Sequence, residues 1–186
     1  MKRSFDLILA LIASVFLLGP ALLVALAVKL TSAGPVLYWS TRVGRDNVLF
    51  DMPKFRTMKT GTPVVATHLL ANPASALTPI GSVLRRSSLD EIPQLISIFR
   101  GDMSFVGPRP ALYNQDDLIE LRNQVGVSAL LPGLTGWAQV NGRDELSIPD
   151  KVALDREYLE KQSLLMDMRI LVMTFFKVVG MAGIQH

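Results

Sequence analysis

Cysteine is absent from the 186-residue sequence, and histidine occurs only at His68 and His186. The lack of cysteine excludes a disulfide framework and a zinc site built from thiolates, and it agrees with a reducing compartment. Two isolated histidines give little support to a histidine-based metal site or to a serine–histidine catalytic pair. The sequence also lacks the Walker A pattern and G-x-G-x-x-G, which excludes the common loops that bind nucleotide phosphates.

Charge is also scarce: charged residues make up 19% of the sequence and hydrophobic residues 49%, and the mean hydropathy is +0.34. These values are high for a soluble domain and low for a bundle of transmembrane helices, so we expect one domain with an appended membrane element. The net charge of +3 suits an anionic partner, such as a phospholipid headgroup, a pyrophosphate or a nucleic acid. The charge alone does not choose among these partners.

The longest apolar stretch covers residues 5–28, in which Asp6 is the one charged residue. At about 1.5 Å per residue, a helix of this length just spans a hydrocarbon core about 30 Å thick. The dipeptide Gly19-Pro20 interrupts the stretch near its middle. Because proline has no N–H and its ring clashes with the preceding turn, we predict that the helix kinks or breaks there.

Three structures remain open for this stretch on the residues alone. It resembles a secretory signal peptide, with Lys2 and Arg3 as the basic start and Ala25-Leu26-Ala27 as a cleavage site. It also has the length of an ordinary transmembrane helix, and the central proline favours a re-entrant hairpin that returns to the same membrane face. Basic residues flank the stretch on both sides, whereas a single span or an exported signal keeps them mostly on one side.

The remaining sequence is predicted to be mostly α with a few short strands. Extended segments are predicted at residues 36–39 and 48–52, and helices at residues 80–86, 93–100, 113–125 and 149–162. The last two helices are polar and amphipathic, and we expect them to face solvent. Residues 166–181 are apolar but contain Arg169 and Lys177, so the uncharged run between them is too short to cross a bilayer. We therefore expect an amphipathic helix in the membrane interface or, as the alternative, a buried core helix.

The densest group of polar residues is the segment 85–94, which begins with two arginines and contains the pair Asp90-Glu91. Adjacent carboxylates usually belong to a solvated surface, but this pair directly precedes an apolar helix. Ser88 and Glu91 have the spacing of a capping box, and if the helix begins nearer Pro93, then Asp90 or Glu91 caps it instead. An ionised carboxylate beside phosphate-binding cations is the chemistry required for attack on phosphorus, and it also suits Mg²⁺.

Two further segments favour phosphate recognition. Residues 101–110 place Arg109 between two prolines, and a guanidinium on so stiff a backbone loses little entropy when it binds a phosphate. Residues 132–143 contain three glycines, which permit a close backbone approach, and the polar side chains Gln139, Asn141 and Arg143. Each segment alone is also consistent with an ordinary structured loop.

These motifs, in this order and over nearly the whole chain, resemble those of the bacterial sugar transferase family. Its members are monotopic phosphoglycosyl transferases that start glycan assembly on undecaprenyl phosphate, and this chain resembles their minimal catalytic form. Two departures are Gly19, where the family often has serine, and Ser40, where it often has glutamine. The matching pieces are Lys2-Arg3 with Asp6, the kinked apolar element, Arg42-x-Gly44, residues 54–58, 85–94, 101–104, 107–110 and 132–143, and the tail at 163–174.

The resemblance implies a re-entrant membrane anchor over residues 1–31, kinked at Gly19-Pro20, with both ends on the cytoplasmic side. It implies a cytoplasmic catalytic domain over residues 32–186, whose amphipathic C-terminal helix lies in the membrane interface. The expected location is the cytoplasmic face of the bacterial inner membrane, in contact with phospholipid. A homodimer is expected as well.

The resemblance also implies a two-step reaction in which Asp90 attacks the β-phosphate of a UDP-sugar and releases UMP. Undecaprenyl phosphate then takes the sugar phosphate from Asp90, which is the first membrane step of glycoconjugate assembly. Asp90 is expected to coordinate Mg²⁺, with Glu91 as the second catalytic residue. The favoured donor carries an N-acetylated amino sugar, which minimal forms of the family often use, and glucose or galactose is the alternative.

The same resemblance names the residues that are expected to bind the substrate. They are Arg85, Arg109, Pro110, Gln139 and Arg143, together with Lys54 and Arg56, for which a structural role is the alternative. The rival function is a non-enzymatic membrane module that binds anionic lipid, which explains the basic charge but not this ordered set of residues. Binding to nucleic acid is not expected, because the sequence has no recognisable binding motif and few aromatic residues beside its cations.

Overall fold

The computed structural model describes residues 2–65, 73–142 and 145–179, so Arg143 and both histidines lie outside the described residues. The described chain is mostly helical with a few short strands, as predicted. Short 3₁₀ helices occur at Arg45–Asn47, Leu89–Gln94 and Val127–Ala129. In chain order, the other elements are α1 (Lys2–Thr31), β1 (Leu37–Val43), β2 (Leu49–Phe55), α2 (Pro73–Ala76), α3 (Gly81–Arg86), α4 (Leu95–Arg100), β3 (Ser104–Val106), α5 (Asp116–Gln124), β4 (Gly133–Thr135), α6 (Trp137–Val140), α7 (Ile148–Lys161) and α8 (Leu164–Val179).

Helix α1 is long and apolar enough to cross a membrane. The chain remains helical through Gly19 and Pro20, which are both exposed. The predicted kink and the re-entrant course through a membrane therefore stay predictions. One side of the helix packs on the rest of the protein through Ala10, Val24 and Val28, whereas the other side exposes large apolar side chains.

Polar contacts fasten the first turns of α1 to α8 and β3. Lys2 Nζ lies 2.5 Å from the Asp167 carboxylate on α8. The Asp6 carboxylate is buried and accepts hydrogen bonds from Ser104 Oγ at 3.0 Å and from the Phe105 N–H at 3.1 Å. Because a buried polar group is tolerated when it is hydrogen-bonded, these contacts fix the start of the helix against the domain.

The other end of α1 is attached to the same domain. Val24 and Val28 pack against Phe55 of β2. Directly after the helix, the Arg56 guanidinium binds backbone carbonyls of the turn at residues 32–35. The helix is about 45 Å long at 1.5 Å per residue, and yet both of its ends contact one globular unit.

Two pairs of strands position the polar segments. Strands β1 and β2 form an antiparallel hairpin, and Asp46 and Asn47 in its turn adopt positive φ values, which aspartate and asparagine tolerate better than most residues. Strands β3 and β4 pair in parallel and have three residues each. Because parallel strands end at the same edge, the segments that follow them, at residues 107–110 and 136–142, lie side by side.

Helix α8 has two different apolar sides. One side buries Ile170 in the main core, and the other exposes Leu165, Phe175 and Phe176. The exposed side fits the predicted interfacial helix, and the buried side is the packing that the core-helix alternative expected. The main core joins α1, α4, α7, α8 and the chain around β3 through Ala10, Ile98, Met103, Tyr158 and Ile170.

Candidate active site

Asp90 lies in the 3₁₀ helix Leu89–Gln94, which leads into α4. The predicted capping box does not form, because Ser88 has a positive φ of 55° and its side chain makes no cap hydrogen bond. Asp90 is 7% exposed. Within the part of the chain that the structure describes, no hydrogen bond or ion pair ends on its carboxylate. Among the described residues, the buried carboxylate therefore has no fixed partner.

Among the described residues, the charges of three cations act on Asp90. Burial raises the pKa of Asp90, because a buried carboxylate loses the solvation of its charge. The charges of Lys54, Arg85 and Arg109 lower this pKa, and the neighbouring Glu91 raises it. A carboxylate in such a setting is a candidate for binding a cationic or electrophilic ligand.

Glu91 joins two cations that come from distant parts of the chain. Its Oε1 atom accepts hydrogen bonds from Lys54 Nζ at 2.9 Å and from Arg109 Nη2 at 3.0 Å. Burial lowers the pKa of Lys54, and the Glu91 carboxylate raises it again. Glu91 therefore brings Lys54 of β2 and Arg109 together next to Asp90.

Lys54 and Arg56 are two residues apart in the sequence but have different surroundings. Lys54 belongs to the cluster around Asp90. Arg56 is 5% exposed, and its guanidinium donates to carbonyl oxygens of the turn at residues 32–35. The structure does not bring Arg56 to the cluster, and its contacts correspond to the structural alternative considered for it.

Arg85 lies in the last turn of α3, and its Nε donates a hydrogen bond to Thr57 Oγ1 at 3.0 Å. Its charge lowers the pKa of Asp90, so the guanidinium is close enough to act on that carboxylate. The structure thus brings Arg85 to the cluster. Arg143, which is also expected to bind the substrate, lies outside the described residues.

The segment that carries Arg109 packs directly on the segment after β4. The Gly107 N–H donates to the Thr135 carbonyl at 2.9 Å. A Cβ atom on Gly136 would lie 2.0 Å from the Gly107 carbonyl oxygen, so only glycine fits at this contact. The glycines therefore permit a close approach between two backbone segments of the protein itself.

Gln139 lies in α6, and both polar atoms of its amide are enclosed. Neither atom has a hydrogen-bond partner among the described residues. An enclosed polar group without a partner costs roughly 1–3 kcal/mol of stability, so native proteins rarely keep one without a reason. A ligand that completes these hydrogen bonds is such a reason, and Gln139 faces a cavity.

This cavity has a volume of about 500 Å³. Its lining includes the polar side chains of Glu91, Arg109 and Gln139, which we call the polar part. It also includes the apolar side chains of Leu17 of α1 and Phe175 of α8, which we call the apolar part. A cavity with both parts suits a ligand that has a charged head and a hydrocarbon tail. The sequence did not predict the cavity, because its apolar lining combines residues from both ends of the chain with residues from its middle.

Sequence analysis also missed the residues that support Arg109 and Pro110. The Arg122 guanidinium donates to the Arg109 carbonyl at 2.8 Å and is paired with Asp155 at 2.6 Å. Pro110 is buried, and its carbonyl accepts a hydrogen bond from Arg42. The expectation that α5 and α7 simply face solvent is wrong at Arg122 and Asp155, which meet between these helices. Of these supporting residues, only Arg42 belonged to a motif that was recognised in the sequence, Arg42-x-Gly44.

The residues present fit a magnesium ion bound through Asp90. Among the side chains that the structure describes, no group of three or more histidines, aspartates or glutamates forms a metal cage. Mg²⁺ at phosphate-transfer sites is commonly held by one or two carboxylates together with substrate phosphates, so a cage is not required. The Asp90 carboxylate has no described partner, whereas Glu91 Oε1 is bound to Lys54 and Arg109.

Comparison with known proteins confirms the family resemblance. The sequence model of the bacterial sugar transferase family matches residues 1–181. The chain is 38% identical to the exopolysaccharide production protein ExoY of Sinorhizobium fredii, over 93% of this chain and 83% of that protein.

Two longer relatives are named for their reactions. The chain is 41% identical to the UDP-glucose:undecaprenyl-phosphate glucose-1-phosphate transferase of Escherichia coli. It is 34% identical to the undecaprenyl-phosphate galactose phosphotransferase of Salmonella typhimurium. These matches cover 95% and 94% of this chain but 40% and 39% of those proteins. The chain belongs to the bacterial sugar transferase family.

Proposed function

We propose that the protein transfers a sugar-1-phosphate from a UDP-sugar to undecaprenyl phosphate and releases UMP. Family membership supports this class of reaction, and two relatives are named for the same acceptor. The single observation that carries the proposal is the position of Asp90. It is buried, the charges of Lys54, Arg85 and Arg109 act on it, and its neighbours Ser88 and Glu91 line a cavity with both polar and apolar residues.

In the first step, a carboxylate oxygen of Asp90 attacks the β-phosphorus of the donor. A bond forms between that oxygen and phosphorus, and the bond from phosphorus to the oxygen that bridges the two phosphates breaks. The bridging oxygen leaves with the electron pair as part of UMP. Lys54 and Arg109 offset the negative charge that accumulates when a carboxylate approaches a diphosphate. Magnesium bound through Asp90 would add positive charge at the phosphates.

In the second step, a phosphate oxygen of undecaprenyl phosphate attacks the same phosphorus. The bond between phosphorus and Asp90 breaks, and its electron pair returns to the carboxylate. The product is an undecaprenyl diphosphate sugar. The apolar part of the cavity, between Leu17 and Phe175, would receive the first part of the hydrocarbon chain. Donor and acceptor would use the polar part in turn, which is the order of a ping-pong reaction.

Glucose or galactose is the sugar that we propose for the donor, because the two relatives described above carry these sugars in their names. An N-acetylated amino sugar is the donor favoured from the sequence. Neither of those two names contains such a sugar, and it is the second candidate in the assay described below.

The protein is proposed to sit on the cytoplasmic face of the bacterial inner membrane, with residues 1–31 as a re-entrant anchor and residues 32–186 as the catalytic domain. Lys2 at the start of α1 pairs with Asp167, and the turn after α1 binds Arg56. A helix that crossed the bilayer would place these ends on opposite sides, away from one shared domain. The exposed apolar sides of α1 and α8 would face lipid. The homodimer stays a prediction.

Product formation by the detergent-purified protein tests this function. With Mg²⁺ and undecaprenyl phosphate, the protein should release UMP from at least one of UDP-glucose, UDP-galactose and UDP-N-acetylglucosamine, and it should form a lipid-linked sugar diphosphate. Asp90→Asn should abolish both products. Release of UDP in place of UMP would contradict the proposal, because it would mean that the sugar moves without its phosphate.

The rival function, a membrane module that binds anionic lipid without catalysis, predicts a different pattern. The wild-type protein would bind vesicles that contain anionic phospholipid but would release UMP from no donor. Asp90→Asn would leave vesicle binding unchanged under either function. UMP release that depends on Asp90 therefore separates the two.

A further inference from the structure

The segment that carries Arg109 is poor in backbone donors, because Pro108 and Pro110 have no N–H. Its Pro108 carbonyl is bound by the Gly133 N–H, and its next two carbonyls are bound by side chains. The Arg109 carbonyl accepts a hydrogen bond from Arg122 Nη1 at 2.8 Å. The next carbonyl, that of Pro110, accepts one from Arg42 Nη1 at 3.1 Å. Two guanidinium groups from different elements therefore fix two consecutive peptide groups.

Arg122 is itself held by a buried partner. Its Nε and Nη2 atoms donate to Asp155 Oδ2 at 3.0 and 2.6 Å. Asp155 is 1% exposed and belongs to α7, whereas Arg122 belongs to α5. Each of the three guanidinium nitrogens thus has a defined acceptor. Because the guanidinium is planar, these contacts set both its position and its orientation.

Arg42 supports the segment from the β1–β2 hairpin. Its Nε atom donates to the buried Ser40 Oγ at 2.9 Å. Burial and the nearby Arg109 charge lower the pKa of Arg42 to about 10, and the Glu91 charge raises it. Arg42 therefore stays protonated near neutral pH and acts electrostatically on the same cluster that surrounds Asp90.

The supporting arginines differ from Arg109 in what they can reach. The Arg109 side chain is 35% exposed, binds Glu91 and lines the cavity. The Arg122 side chain is 12% exposed, and its nitrogens are bound to Asp155 and to the backbone. A soluble ligand in the cavity therefore meets Arg109, while Arg122 acts only on the backbone behind it.

We propose that Arg122 and Arg42 are positioning residues for the donor. By binding the backbone of residues 109–110 from two sides, they hold the Arg109 guanidinium where it receives the diphosphate of the donor. This inference rests on the proposed function for the identity of that diphosphate. Loss of either support lets the backbone relax, and a displacement of about 1 Å is enough to weaken a catalytic contact strongly.

A double-mutant cycle on UDP binding, measured by calorimetry with the full chain in detergent and Mg²⁺, tests the proposal. Arg122→Lys keeps one positive charge but lacks the planar fork that binds Asp155 and the Arg109 carbonyl together. We expect it to weaken UDP binding about tenfold when Arg109 is present. Combined with Arg109→Ala it should cause no further loss. Arg156→Lys, in the exposed pair with Glu160, is the matched control and should leave UDP affinity unchanged.

Equal losses of UDP affinity in both backgrounds would overturn the proposal, because Arg122 would then not act through Arg109. A lower thermal midpoint with unchanged UDP affinity would overturn it as well, since that result describes a purely structural pair. If Arg122→Lys does not fold, Arg42→Lys removes the other support and enters the same cycle with the same outcomes. A wild-type protein that binds UDP but transfers no sugar phosphate contradicts the proposed function alone, and one that binds no UDP contradicts both.

Discussion

At the scale of single residues, Asp90 and Glu91 are neighbours in the sequence with different surroundings. Glu91 is bound by Lys54 and Arg109 through one oxygen, so its charge is used within the protein. The Asp90 carboxylate is buried and has no hydrogen-bond partner in the described part of the chain, so its charge remains for a ligand. In our account, the first carboxylate reacts and the second holds the cations that allow it to react.

Replacement of Glu91 tests this division. Glu91→Gln should slow UMP release about a hundredfold, because a neutral amide cannot hold two cations beside Asp90. Lys54 would also lose the charge that raises its pKa, so a smaller fraction of it would be protonated. Initial rates at saturating donor measure the effect, with Glu160→Gln on the exposed face of α7 as the control. A rate equal to that of the wild type would refute the role of Glu91.

Replacement of Gln139 should affect stability and donor binding differently. Gln139→Leu removes two enclosed polar atoms that have no partner among the described residues, so the thermal midpoint should stay constant or rise. The KM for the UDP-sugar should rise, because the donor loses a hydrogen-bonding group in the cavity. Thermal unfolding and donor titrations measure both quantities, and Gln124→Leu on the exposed face of α5 is the control. A lower midpoint with an unchanged KM would mean that Gln139 is only structural.

The sequence predicted which residues lie in the candidate site better than it predicted their contacts. Asp90-Glu91 and Arg109 were identified because carboxylates beside arginines, and an arginine between prolines, are unusual contexts. Lys54 and Arg56 share one motif, so substrate binding and a structural role were open for both. Their difference depends on the turn at residues 32–35, which folds back onto Arg56. A tertiary contact of this kind leaves no local pattern in the sequence.

At the scale of elements, the long helices, the six-residue helix α3 and the hairpin strands were predicted, whereas the three-residue strands were not. The apolar stretch predicted α1, and the helix predicted at residues 149–162 is α7, Ile148–Lys161. Strands β3 and β4 were missed, because three residues are too few to show an alternating pattern. The helix predicted at residues 93–100 begins at Leu95, and Pro93 lies in the preceding 3₁₀ helix.

The junction between α5 and α7 gives a pH-dependent prediction. The pKa of Asp155 lies above its ordinary value, because burial raises it more than the Arg122 charge lowers it. The folded protein therefore binds this proton more tightly than the unfolded chain, and stability is lost as pH rises from the ordinary aspartate range through the raised pKa. Arg122→Met removes the lowering charge, so the pKa rises further and the loss extends to higher pH.

The destabilisation by Arg122→Met should accordingly be larger at pH 7.5 than at pH 5. Thermal midpoints of the variant and the wild type at both pH values measure it. Arg156→Met removes the partner of the exposed Glu160 and should show no such difference between the two pH values. A destabilisation by Arg122→Met that is equal at both pH values would contradict the electrostatic role of Arg122.

At the scale of the whole molecule, the two apolar helices come from opposite ends of the chain and meet at one cavity. Leu17 of α1 and Phe175 of α8 line the apolar part of this cavity. Both helices also expose apolar residues on their outer sides. The sequence predicted each helix but not their meeting, because contacts between residues so far apart have no local signal.

The re-entrant anchor can be tested with single cysteines, because the sequence contains none. Ser4→Cys and Thr31→Cys lie at the exposed ends of α1, and Glu160→Cys on α7 is the control in the catalytic domain. A membrane-impermeant maleimide should label all three from the cytoplasmic side only, because both ends of α1 contact the same domain. Labelling of the two ends of α1 from opposite sides would mean that the helix spans the membrane.

Intact mass spectrometry tests whether Asp90 carries the sugar phosphate between the two substrates. The purified protein is incubated with Mg²⁺ and a UDP-sugar in the absence of a lipid acceptor. We expect one equivalent of UMP and a mass increase equal to one sugar phosphate, lost in Asp90→Asn and discharged when undecaprenyl phosphate is added. Turnover that requires both substrates together, with no adduct at any time, would instead show direct transfer and contradict the account.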